Sequence, residues 1–78
     1  MTDAENRVCI KLFQLSMKLK SLVQHRPILT EILKDRPKVL SDFHRRWLLE
    51  LAWEHRDHLP ADLRVIVALK RGFANADR

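Results

Sequence analysis

Glycine and cysteine are nearly absent from this sequence, and tyrosine is absent altogether. The 78 residues include one glycine, one cysteine and no tyrosine. A lone cysteine, Cys9, excludes an internal disulfide and fits a reducing compartment, so we predict a cytoplasmic protein. The scarcity of glycine also leaves no phosphate-cradling loop and no Asn-Gly or Asp-Gly turn. The sequence therefore argues against β-hairpins and nucleotide-binding loops.

Long apolar runs are missing as well. The longest uninterrupted run of aliphatic residues is VIVAL, at residues 65–69, which is far too short to cross a bilayer. The first residues, MTDAENR, are polar and partly acidic, unlike a secretory signal peptide. We therefore expect neither a membrane partner nor a secretory leader.

The composition is that of a folding, basic domain. Hydrophobic residues make up 46% and charged residues 32% of the chain, and the net charge is +5 with a pI of about 10.0. Such a charge favours an acidic partner, whether nucleic acid or an acidic protein surface. We predict a single domain over residues 1–78, near the size at which one core is barely sufficient.

The chain is divided by its three prolines and its glycine. Thr2 or Asp3 can cap a first helix, and Pro27, Pro37 and Pro60 suit the first turns of later helices. The helix that follows Pro37 can restart at Ser41, and Gly72 suits a left-handed cap that ends the last helix. These signals predict an all-α, compact bundle of about four helices at residues 3–24, 27–35, 37–58 and 60–71, followed by a frayed tail at 74–78.

The first predicted helix has more apolar surface than one neighbour can cover. Its apolar residues occupy more than about 200° of a helical wheel, whereas about 100° is usual for a surface helix. One set repeats at spacings of four and three, as in a coiled-coil seam. We therefore predict a homodimer whose seam consists of Val8, Leu12, Leu15, Leu19 and Leu22.

A narrow polar strip runs along the same predicted helix. It includes four residues that are basic or can become so: Arg7, Lys11, Lys18 and His25. Such a strip can follow a phosphate backbone, but charge alone supplies only sequence-independent binding. The alternative interpretation is an ordinary polar face exposed to solvent, which any helix has on the side opposite its buried face.

The stretch RRWLLELAWEHR, residues 45–56, interleaves two tryptophans with arginines. On a helical wheel it has a broad apolar face, which we predict to be core, formed by Leu40, Phe43, Trp47, Leu48 and Leu51. A smaller apolar patch, Leu49 and Trp53, lies among Arg45, Arg46 and Arg56. Tryptophan and arginine are enriched in binding hot spots, so this patch is the predicted partner site. The alternative is that another helix of the chain packs over it.

Catalytic and metal-binding patterns are weak. The four histidines include two that are three residues apart, His55 and His58, but a zinc site needs three or four ligands. Cys9 lies in the apolar arc of its helix, where a buried, inert thiol is expected. We predict no enzymatic activity, no metal and no cofactor.

A chain of this size without a catalytic constellation can act by occupying the surface of another molecule. We therefore predict a small binding protein that acts as a regulator, adaptor or inhibitor through a protein–protein interface, and an acidic partner surface would suit its charge. The alternative is a nucleic-acid-binding protein that uses the basic strip of its first helix.

Overall fold

The computed structural model describes the backbone of residues 3–35 and 41–76, and side-chain burial at residues 4–34 and 41–72. The described backbone contains no β-strand, and the predicted all-α class with four long helices is confirmed. The elements are α1 (Asp3–Ser16), α2 (Lys20–Val23), α3 (Arg26–Asp35), α4 (Asp42–Glu54), a 3-10 turn (Arg56–His58) and α5 (Ala61–Ala76).

The contacts divide the chain into two units of helices. Unit 1 is Met1–Val39, in which α1 packs against α3 and α2, and unit 2 is Leu40–Arg78, in which α4 packs against α5. The single domain predicted for residues 1–78, like the frayed tail at 74–78, stays a prediction.

The core of unit 1 is built from one side of α1 and the facing side of α3. Val8, Cys9 and Leu12 are fully buried. Val8 and Leu12 were predicted to lie in a dimer seam. The remaining buried apolar residues of this unit are Leu22, Leu29 and Ile32. Fully burying a large aliphatic side chain contributes about 1.5–3 kcal/mol, so this contact is the main stabilising term of the unit.

The first helix ends at Ser16, so the prediction of one helix over residues 3–24 is wrong. The Ser16 hydroxyl donates to the Phe13 carbonyl at 2.5 Å, and the amides of Met17 and Lys18 bond to carbonyls three residues back. Bonds of this short span tighten and close a helix without help from glycine or proline. Because no breaker residue marks the position, the sequence pattern could not reveal it.

An arginine from α3 satisfies the carboxyl end of α1. The Arg26 Nη2 atom donates to the Ser16 carbonyl at 2.6 Å, and its Nε donates to the Ser16 hydroxyl at 3.3 Å. A positive group at the end of a helix also interacts favourably with the helix dipole. The Arg26–Ser16 contact therefore ties the end of α1 to the start of α3.

Ser41 caps α4, as the sequence suggested for a restarted helix. Its hydroxyl accepts from the His44 amide at 3.2 Å, and Asp42 lies in the first turn, where its charge favours the helix dipole. The predicted start at Pro37 lies outside the described residues. The predicted continuation to residue 58 is wrong, because α4 ends at Glu54 and the chain tightens into the 3-10 turn.

The last helix begins at Ala61, one residue after the predicted Pro60, whose carbonyl accepts from the Arg64 amide at 3.0 Å. It then continues through Gly72 to Ala76, so the prediction that Gly72 ends the helix is wrong. A glycine inside a helix costs about 1 kcal/mol relative to alanine, which a helix packed along its length can tolerate.

The core of unit 2 follows one side of α4. Leu48, Leu49, Leu51 and Ala52 are buried on α4, as are Leu59, Leu63 and Val67 on and before α5. Phe43, which the sequence placed in this core, is 74% exposed. At about 100° per residue it lies opposite Ala52 on the helix, so the packing that buries Ala52 turns Phe43 outward. Trp47 is half-buried, and Leu40 lies outside the described residues.

We predict that Cys9 does not react in the folded protein. Its side chain is fully buried, its thiol faces the Leu29 carbonyl at 3.9 Å, and burial raises its pKa from 9.0 to about 11. The reactive thiolate is therefore scarce at about pH 8. DTNB should label one thiol per chain in strong denaturant and almost none in buffer. Rapid labelling of the folded chain would contradict this burial.

The Arg26–Ser16 contact gives a second prediction. Arg26→Ala should lower the free energy of unfolding by about 1.5–3 kcal/mol, because it removes hydrogen bonds from a charged donor. Arg64→Ala, at an exposed position of α5, is the matched control and should change the free energy of unfolding by less than about 0.5 kcal/mol. Urea titration followed by circular dichroism measures both. Equal losses would show that Arg26 has no special structural role.

Candidate functional site

The outward side of α4 carries most of the aromatic residues of the chain. The sequence has five aromatic residues, two tryptophans and three phenylalanines. Phe43, Trp47 and Trp53 all lie within an arc of about 120° on α4, on the side away from Ala52. Phe43 is exposed and both tryptophans are half-buried. We call this surface, with the intervening exposed residues Arg46, Glu50 and Glu54, the aromatic face.

Trp53 is covered by two guanidinium groups from different elements. The Arg56 Cζ atom lies 4.4 Å from the centroid of the Trp53 ring, and the Arg71 Cζ atom lies 5.1 Å from it. Both distances are within the range of cation–π interactions, each worth about 0.5–1 kcal/mol at an exposed site. The indole is therefore held in one position on the surface.

Both arginines are themselves held by further hydrogen bonds. The Arg56 Nη1 atom donates to the Trp53 carbonyl at 2.8 Å, close to the end of α4. Arg71 on α5 donates through Nε to Glu50 Oε1 at 3.0 Å and through Nη2 to Glu50 Oε2 at 3.5 Å. This two-pronged pair fixes the guanidinium plane and links α5 to α4. Glu50, Trp53, Arg56 and Arg71 therefore form an ordered surface cluster.

Phe43 stands at the other end of the aromatic face, in the first turn of α4. Its ring meets the His44 ring edge-on, with centroids 5.6 Å apart, and His44 Nδ1 lies 3.0 Å from the Ser41 hydroxyl. The cap residue thus holds the histidine beside the phenylalanine. The Phe43 side chain is 74% exposed, so burying it against a partner would remove apolar surface from water and contribute favourably to the free energy of binding.

The predicted partner site is only partly assembled as the sequence suggested. Trp53 and Arg56 are in contact, and Arg46 is exposed nearby on the aromatic face. Leu49 is only 3% exposed and belongs to the core, and Arg45 is half-buried. For Leu49, the alternative that it packs inside the chain is the one that the structure supports.

Sequence reasoning missed three members of this surface. Phe43 had been assigned to the core, Glu50 had no role, and Arg71 lies 21 residues from the glutamate it pairs with. A contact of that span has no local signature, because it depends on how α5 lies along α4. Arginine at position 71 could be identified as a polar surface residue only.

The predicted basic strip is divided between elements. Arg7 is exposed and Lys11 half-buried on α1, while Lys18 is exposed in the turn after it. His25 is half-buried in the turn before α3, with its Nε2 atom 3.4 Å from Gln24 Nε2. The strip therefore does not follow one straight helix as predicted.

The predicted dimer seam is divided in the same way. Val8, Leu12 and Leu22 are fully buried, and Leu15 and Leu19 are half-buried. Because α1 ends at Ser16, the seam is not one continuous exposed stripe of a helix. Any pairing of two chains must use other side chains than the three buried ones.

Within residues 3–35 and 41–76, no three histidine, cysteine or acidic side chains gather as a metal site would require. His55 is used structurally, since its Nδ1–H donates to the Leu51 carbonyl at 3.0 Å and helps to close α4. Of the helices that the structure describes, none combines the length and the hydropathy of a membrane span.

Compared with known proteins, the chain matches no protein-family model, no curated protein and no solved structure.

Proposed function

We propose that this protein is a small non-enzymatic binding module that acts as a regulator, adaptor or inhibitor by docking on another protein through the aromatic face. The observation that carries the proposal is the exposure of Phe43, at 74%, on the same side of α4 as the ordered Trp53 cluster. The cytoplasmic location expected from the lone cysteine remains part of the proposal.

The composition of the aromatic face supports a protein partner. Tryptophan and arginine are the residue types most enriched among hot spots, and aromatic side chains are enriched in interface cores. The face presents Phe43, Trp47 and Trp53 together with Arg46 and two glutamates, and Arg56 lies against the Trp53 ring. Such a surface can combine an apolar contact with directional hydrogen bonds from guanidinium groups.

The order of the Trp53 cluster favours binding further. Immobilising a flexible side chain at an interface costs about 0.5–1.5 kcal/mol. Arg71 already bonds to Glu50 at 3.0 Å, and Arg56 already bonds to the Trp53 carbonyl at 2.8 Å. Much of that cost is therefore absent when a partner arrives.

The charges around the aromatic face suggest an acidic rim on the partner. Arg71 is neutralised by Glu50, whereas Arg56 has no carboxylate partner in the part of the chain that the structure describes. Arg46 is exposed on the same face, about two turns before the exposed Glu54 at the end of α4. Carboxylates of a partner could accept hydrogen bonds from Arg56 and Arg46, while an apolar part of the partner packs on the aromatic rings.

The test begins with affinity capture from the native host, with nuclease treatment, followed by titration of the purified partner with variants. Phe43→Ala should weaken binding by about 2 kcal/mol, or about 30-fold, as the loss of an anchor does. Because Phe43 is 74% exposed, the free energy of unfolding of the Phe43→Ala variant should differ from that of the unaltered protein by less than about 0.5 kcal/mol.

Two controls make this result interpretable. Val23→Ala, at a 45% exposed position of α2 in unit 1, should leave partner binding unchanged. Leu48→Ala, at a fully buried position, should cost about 2–5 kcal/mol of stability. If Phe43→Ala and Trp53→Ala both bind the partner like the unaltered protein, the aromatic face is not the interface.

We also propose that the chain forms a homodimer, through exposed residues rather than the predicted seam. Val65 and Leu69, 58% and 59% exposed, lie one turn apart on α5, and nothing lies within 4 Å of a Cβ built on Gly72. This side of α5 can therefore approach another helix closely. Light scattering after gel filtration should give a dimer at about micromolar concentration.

The double variant Val65→Asp/Leu69→Asp should convert that dimer to a folded monomer, because it places charges in an apolar contact. Arg64→Asp, at an exposed position on the edge of the same helix, is the control and should remain dimeric. A monomer for the unaltered chain at every concentration would contradict the dimer.

A further inference from the structure

The positive charge of the chain is concentrated in unit 1. Unit 1 contains 8 of the 15 lysines and arginines and 4 of the 10 acidic residues. Unit 2 contains the other 7 basic and 6 acidic residues. The net charges are therefore +4 and +1, and together they give the +5 of the whole chain. The aromatic face belongs to unit 2, so most of the basic excess lies outside the residues proposed for the protein contact.

Burial within unit 1 determines where these charges point. Val8, Cys9 and Leu12 are buried on one side of α1, so Arg7 and Lys11, one turn apart, lie toward the opposite side. Arg7, Lys18 in the following turn and Lys20 at the start of α2 are exposed, and Lys11 is half-buried. Unit 1 thus has two basic side chains on α1 and two more within four residues of its end.

The exposed and half-buried residues between the charges include both polar and apolar side chains. Gln14 is exposed and Asn6 half-buried on the outer side of α1, and both amides can bond to phosphate or sugar oxygens. Two large apolar side chains among them are also exposed, Ile10 at 39% and Met17 at 61%. The four charged groups, each of which can pair with a phosphate oxygen, are what favours a phosphate backbone as the ligand.

We propose that unit 1 binds the sugar–phosphate backbone of nucleic acid through Arg7, Lys11, Lys18 and Lys20. The binding is independent of base sequence, because the four donors are charges that recognise phosphate rather than base edges. The proposed protein contact of unit 2 does not depend on it, since the two surfaces share no residue. The protein would then bring a protein partner to nucleic acid.

The number of phosphate contacts sets the expected salt dependence. Each neutralised phosphate of a duplex contributes about −0.9 to the slope of log K against log salt, so four contacts give about −3.6. Affinity should then fall about 150-fold between about 50 and 200 mM NaCl. Non-specific binding of this kind has a Kd of about 10⁻⁴–10⁻⁶ M at physiological salt.

The experiment measures fluorescence anisotropy of a labelled DNA duplex of about 20 base pairs across that salt range. Lys11→Glu/Lys18→Glu should abolish two contacts and reduce the slope by about 1.8, with a loss of affinity of at least about 10-fold at low salt. Lys18→Glu and Arg64→Glu provide a matched pair, because each changes the net charge equally at an exposed position. The first should weaken binding and the second should change it by less than about 2-fold.

Circular dichroism establishes that each variant keeps its helices, and Lys18→Gln offers a milder substitution that should lose about one unit of slope. Equal losses from Lys18→Glu and Arg64→Glu would overturn the proposal, because binding would then follow total charge. Absence of duplex binding at low salt would overturn it too. The proposal would also be overturned if poly-L-glutamate, an acidic polypeptide, bound more tightly than the duplex and displaced it completely.

Discussion

The packing of α4 against α5 is the contact on which the candidate interface depends. Because Leu48 and Ala52 are buried, the opposite side of α4 must face outward, and Phe43 is on that side. The same packing brings Arg71 of α5 to Glu50 and to the ring of Trp53. One apolar contact thus determines both what is exposed and what is ordered on the surface.

Unit 1 follows the same logic with a different outcome. Its core turns the basic side of α1 outward, and Arg26 closes the end of that helix through the Ser16 carbonyl and hydroxyl. Burying Cys9 gives the unit an unreactive thiol whose raised pKa, about 11, has desolvation as its cause. The two units therefore differ in the chemistry they present, with charge on one and aromatic rings with ordered guanidinium groups on the other.

Local signals predicted much of this fold, and long-range packing accounts for what they missed. Pro27, Ser41 and Pro60 each located a helix start within one residue, because such residues act on the backbone beside them. The end of α1 at Ser16 has no glycine or proline, and the wheel of α4 could not tell which of two apolar sides α5 would cover. Phe43 was therefore placed in the core, and Leu49 at the surface. Trp53 and Arg56 were predicted as site residues because they are only three residues apart. Arg71 was not predicted, because it is far in sequence from the residues that it contacts.

The most direct test of the account is hydroxyl-radical footprinting of the protein alone and in complex with its captured protein partner. Aromatic side chains are readily oxidised where solvent reaches them, and Phe43 is 74% exposed in the free chain. The account predicts strong protection of Phe43 and Trp53 in the complex, with the oxidation of Met17, 61% exposed in unit 1, unchanged. Full oxidation of Phe43 and Trp53 in a complex that protects other residues would contradict it.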